Sequence, residues 1–151
     1  MIGTAVLVTA GTITYGAVTD TPVVLDLSAS FNSGAGVGYK VGIFVVFDFK
    51  NDNIEFYGHY GITYGIKVNT FGFSYSPGVI LNYEKPGDHG GPFKNYGGGK
   101  FWGFDHCYDP RTNHSDAVQA YSITFGNNKG VYFGDDKYYY WGKTGAPKWR
   151  R

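Results

Sequence analysis

The side chains able to do chemistry crowd into two short stretches. "KPGDHGGPF" (85–93) holds Asp88 and His89 between glycines, and "FDHCYDPRTNHSD" (104–116) holds Asp105, His106, Cys107, Asp109, Arg111, His114 and Asp116. If both loops lie at one end of a sheet, three of the four histidines stand near several carboxylates. Three chemistries suit these residue types. A histidine oriented by an aspartate is a general base for hydrolysis, with His89, Asp105, His106 and His114 as the candidates. Cys107 is a candidate nucleophile beside His106 or His89, provided that a neighbouring base lowers its pKa. Histidine and aspartate also ligate metals, but the spacing matches no metal motif, and neighbours such as Asp105 and His106 point to opposite faces of a regular strand. No metal site and no cofactor is therefore expected. Nor does the chain contain a Gly-x-Ser-x-Gly elbow, a His-Glu-x-x-His pair or a phosphate loop. As binding residues, Asp88, His89, Trp102, Tyr108 and Arg111 combine loop polarity with aromatic surface suited to a sugar or a protein partner.

These groups need a scaffold, and the 151 residues point to strands. Glycine occurs 24 times, aromatic residues make up 19% of the chain, and alternation with a period of two recurs from Pro22 onward. The clearest runs are 22–30, 36–49, 54–68, 70–75, 79–84, 98–107, 117–126 and 131–142. "KNDN" and "NNKG" read as hairpin turns, and "DPRTNHSDAV" as the start of one short helix capped by Ser115 or Asp116. The fold expected is all-β: an antiparallel meander of about eight strands, closing into a small β-barrel or a two-sheet sandwich. Residues 1–151 read as a single domain. Residues 1–20 carry no charge before Asp20 and, being rich in Thr, Val and Ile, suit one or two strands, or are the remnant of an added start. Residues 143–151 form a basic tail.

Charge excludes one class of partner. Thirteen basic and twelve acidic groups leave a net charge of +1, so no global field draws nucleic acid. The single cysteine precludes an intrachain disulfide. One pattern admits a membrane: in "GAGVGYKVGIFVVFDF" (34–49) the odd positions are apolar and glycine recurs at the even positions 34, 36, 38 and 42, and residues 54–68 repeat the division of faces with the phase changed. That pattern fits a strand with one face against a core, or one with that face against lipid and small residues turned into a lumen.

The texture "GAGVGYKVGIFVVFDFKNDNIEFYGHYGITYGI", followed by "SPGVILNYEKPGDHGGPF" and the ending "KYYYWGK", resembles the Gly-rich C-terminal modules of Rhs-repeat and related polymorphic-toxin proteins. The resemblance covers about Ser33–Gly142 and transfers no functional residue. It implies the terminal domain of a larger protein, secreted or delivered into a target cell, with a cognate immunity protein as partner. Together these readings favour a non-enzymatic effector domain acting at a membrane or envelope surface. A carbohydrate- or protein-binding module and a hydrolase with a His/Asp loop site are the alternatives.

Overall fold

Short turns and uninterrupted alternation fold most of the chain into one antiparallel sheet. The computed structural model describes residues 2–32, 36–67, 71–113 and 115–145. His114 and most of the basic tail (146–151) lie outside the described residues. Helix α1 (Ile2–Thr19) is followed by β1 (Val23–Asn32), β2 (Val37–Asp48), β3 (Asn53–Lys67), β4 (Phe71–Leu81), β5 (Gly91–Tyr108) and β6 (Gln119–Gly145). The "KNDN" hairpin joins β2 to β3, with Asp52 in the left-handed region (φ 54°) that its tight turn requires.

The sheet order is β3-β2-β1-β4-β6-β5, and β3 pairs in addition with β6. The first three strands meander, and β4 then returns to the free edge of β1, a Greek-key arrangement. Closure comes from the long β5–β6 hairpin. Its tip half (102–108 with 119–125) lies beside β4, while its base half (91–100 with 129–138) lies in register with the part of β6 that pairs with β3. A register shift between Lys100 and Trp102 marks the fold in the hairpin. There the two halves of β5 touch: a Cβ on Gly97 would collide with the Phe104 carbonyl oxygen, and one on Gly103 would stand 2.8 Å from the Gly98 carbonyl carbon. The result is a closed, antiparallel eight-stranded β-barrel.

Runs 70–75 and 79–84, expected as separate strands, are one, β4, because Ser76 to Gly78 keep pairing with β1, and three further elements differ from the sequence expectation. Residues 2–19 form a helix rather than strands. The closed barrel leaves β1 no free edge for them, and hydroxyls of Thr9, Thr12, Thr14 and Thr19 donate to the carbonyls four residues earlier, so these polar groups are satisfied within the helix itself. Asp20, in the left-handed region (φ 56°), ends the helix, and the Thr21 amide donates to Gly16. The "NNKG" stretch runs on within β6 because both of its flanks are held by β5. Residues 109–118 make turns rather than a helix among the described residues, held by Asp109 N–H to Val118 and Asp116 N–H to Asn113.

The faces of the strands decide the character of the molecule. On β2 the even positions point inward and the odd positions outward: Lys40, Phe44, Val46 and Asp48 are buried, while Tyr39 (66%), Val41 (53%) and Ile43 (46%) are exposed. The glycine-bearing face therefore fills the barrel, and the aliphatic face forms its outer surface. Near the end where β2 turns into β3, the interior is apolar, built from Val24, Phe44, Val46, Tyr57, Ile80, Phe93 and Tyr138.

Candidate functional site

The two polar loops do meet at that end of the barrel. Arg111 ties them together, its guanidinium bonding the Asp109 carboxylate at 2.8 and 2.9 Å and the Gly90 carbonyl at 3.2 Å. Asp88 closes its own turn by accepting from the Glu84 and Lys85 amides at 2.8 and 2.9 Å. Both residues are spent on loop geometry.

His89 and Cys107 come together inside the barrel, the Sγ 3.7 Å from Nε2. The imidazole is fully buried and sandwiched between Phe44 and Phe93, with ring centroids 4.4 and 4.0 Å away. Burial pushes its pKa down to about 3 and pushes the thiol of Cys107 up. Both groups are thus neutral across the physiological range. The pair holds no thiolate and faces no open space, so it packs as part of the core rather than as an activated nucleophile.

Asp105 and His106 part company as strand alternation requires. Asp105 points into the barrel, accepts from the Tyr132 hydroxyl, and has its pKa raised by burial. His106 lies against Tyr121 and Tyr108, stacked at 4.2 and 5.5 Å, with Nε2 3.0 Å from Gln119 Oε1. Trp102 is exposed at 66% on the outer surface. The sequence candidates thus divide among a core pair, a lumen carboxylate, an aromatic cluster, loop ties and an exposed ring. They do not assemble into one site.

Sequence reasoning missed a charged cluster that lies above the apolar layer. Lys40 Nζ is 3.1 Å from Asp136 Oδ2, and His59 Nε2 is 2.8 Å from Asp26 Oδ1. Nδ1 of His59 stands 4.0 Å from Asp136, and Ser28 Oγ donates to Asp26 at 2.9 Å. Burial opposes the charge on Lys40, but Asp136, Asp105 and Asp26 together outweigh it and hold the ammonium charged. Burial likewise opposes ionisation of Asp26, and His59 and Lys40 reverse that effect, leaving its pKa below the usual range. Gly42 makes room for this cluster: a Cβ there would stand 2.7 Å from His59 Cε1 and 2.6 Å from the Leu27 carbonyl oxygen. The signal was legible in principle, because Lys40 sits between Gly38 and Gly42 on the bare face. A further buried acid, Glu55, accepts from Tyr83 at the loop end. Burial first, and Asp48 beside it, push its pKa up to about 8.

The outer surface is the other distinctive feature. Along β1 to β4 the outward positions, from Leu25 to Leu81, carry no charged side chain among those described. Charges return outward on β5 and β6, as the exposed Lys94–Asp135 pair (3.2 Å) and as Lys137, 5.6 Å above the Tyr139 ring. Helix α1 adds to the apolar side. Of its residues only Gly16 is buried, and its mean hydropathy of 1.4 over 18 residues is enough, by length and composition, to cross a membrane.

Fold and interior define a small Greek-key β-barrel with an ionic cluster inside and an apolar flank outside. Among solved structures the chain is similar to the virulence-associated protein VapD from the intracellular pathogen Rhodococcus equi, with a TM-score of 0.53 and 14% identity over 79% of this chain and 99% of that one. At that identity the likeness is one of fold. No protein-family model and no curated protein matches the chain.

Proposed function

We propose that this barrel is a non-enzymatic bacterial effector domain that works at a membrane or cell-envelope surface. One observation carries the reading: four adjacent strands turn uncharged, mostly large apolar side chains to the outside, on the same side as a helix whose Ile2, Val6, Leu7 and Val18 stay exposed. Contiguous apolar surface of this extent marks an interaction site in a water-soluble protein. The charged side chains on β5 and β6 leave the barrel amphipathic as a whole, which suits lying on a lipid surface. The virulence association of VapD and the textural resemblance to polymorphic-toxin modules support an effector role, with secretion or delivery into a target cell and an immunity protein as partner. A glycan platform has less behind it, because the polar groups described on this face are tyrosine hydroxyls, and no outward charged side chain is described on β1 to β4 to anchor a sugar.

Liposome flotation with phosphatidylcholine vesicles tests the reading. The protein is expected to float with the vesicles at micromolar concentration and to release an entrapped dye. Absence of both lipid binding and leakage would overturn it. In the producing genome, a long Rhs-type sequence upstream and a small adjacent immunity gene are the expected context.

A further inference from the structure

A groove of about 950 Å³ crosses the apolar flank. Leu27, Ala29, Val41 and Ile43 form its floor, Tyr60, Tyr139 and Trp141 one wall, and Phe73, Tyr75 and Phe125 the other. A second space of about 680 Å³ beneath α1 is walled in part by the same Tyr75, Phe125 and Gly126. Volumes of this order are those of small-molecule sites.

The hydrogen-bonding groups around the groove say what can occupy it. Tyr60 and Tyr139 hydroxyls bond one another at 3.1 Å, and the Tyr75 hydroxyl bonds Thr9 Oγ1 at 2.7 Å. His59 Nε2 and Ser28 Oγ are both engaged by Asp26. An extended peptide paired through its backbone would need strand-edge partners, which a closed barrel does not offer, and a sugar would lie mostly against aliphatic and aromatic carbon. A hydrocarbon chain needs neither. At the Tyr139 wall stands a cation, Lys137, whose Nζ lies over the ring. Resting on the membrane-surface reading, we infer that the groove takes the acyl chain of a single anionic-headed lipid, with the head group's negative charge at Lys137.

The test uses the full chain and two single-chain lipids below their micelle concentrations, lysophosphatidylglycerol and lysophosphatidylcholine, with binding read by calorimetry. Both are expected to bind saturably at one per chain, the glycerol lipid about tenfold more tightly. Lys137→Glu should bring the ratio of the two affinities to one or below. Ala29→Trp, which fills the floor, and Val41→Arg, which charges it, should each weaken binding of both at least tenfold, with circular dichroism checking that each variant folds. Failure of either lipid to bind saturably, or an unchanged affinity ratio in Lys137→Glu, would overturn the inference. So would a dimer in sedimentation velocity that lysolipid cannot dissociate, which would make a second copy the occupant. Vesicle flotation without lysolipid binding sinks this inference alone. Lysolipid binding without flotation sinks the membrane-surface reading alone.

Discussion

Lys40 and His89 show two ways in which this barrel holds polar side chains away from water. Lys40 keeps its charge because Asp136 stands 3.1 Å away with Asp26 and Asp105 behind it. Removing one partner of a buried pair leaves the other uncompensated, so Lys40→Met is expected to cost about 3–5 kcal/mol in denaturant unfolding. The double variant Lys40→Met, Asp136→Asn should recover part of that loss. His89 is instead held neutral, its pKa near 3 against about 6.5 in the unfolded chain. The unfolded state therefore takes up the proton first. The stability that His89 lends is complete above the unfolded pKa and is lost as pH falls from there toward 3. Replacing it with Phe keeps the stack on Phe44 and Phe93, and should flatten the decline of the melting temperature between pH 6.5 and 4. Glu55 acts in the opposite direction. With a folded pKa near 8, its contribution is full at low pH and fades as pH rises through that value, and Glu55→Gln should remove this slope. The sequence marked His89 and Cys107 as neighbours of interest but could not show that phenylalanines enclose the imidazole, because Phe44 lies 45 residues away in the chain.

At the scale of elements, alternation identified the strands, and the "KNDN" hairpin was legible to within a residue or two. Which face looks inward was not. A period of two shows that Val41 and Ile43 share a side, but not whether that side meets core or surroundings. The answer lay in Lys40 and His59, polar residues on the bare faces of β2 and β3 that make sense only as interior partners of Asp136 and Asp26. Helix α1 was misread because β propensity reports a fit to a pleated, half-buried surface, and none was left for these residues. The "NNKG" stretch was misread because turn-favouring residues yield when a neighbouring strand supplies a ladder on both flanks. The fold in the β5–β6 hairpin depends on backbone contact at Gly97 and Gly103. Gly97→Val is therefore expected to prevent closure, seen as loss of the cooperative thermal transition, whereas alanine at Gly3, where nothing lies within 4 Å of an added Cβ, should leave that transition in place.

The whole molecule is an amphipathic barrel whose interior carries charges and whose flank on β1 to β4 carries none among the described residues. That inversion links the glycine pattern to the proposed role: small residues on the bare face admit His59 and its partners, and the aliphatic face is left to meet something outside. The most direct test is to place an environment-sensitive fluorophore on a cysteine at Val41, and separately at Lys94, with Cys107 changed to serine. Vesicles carrying a lipid-embedded quencher are then added. Strong quenching at position 41 with little at position 94 is predicted. Equal quenching at both positions, or none at either, would contradict the claim that this apolar flank is the surface that meets the membrane.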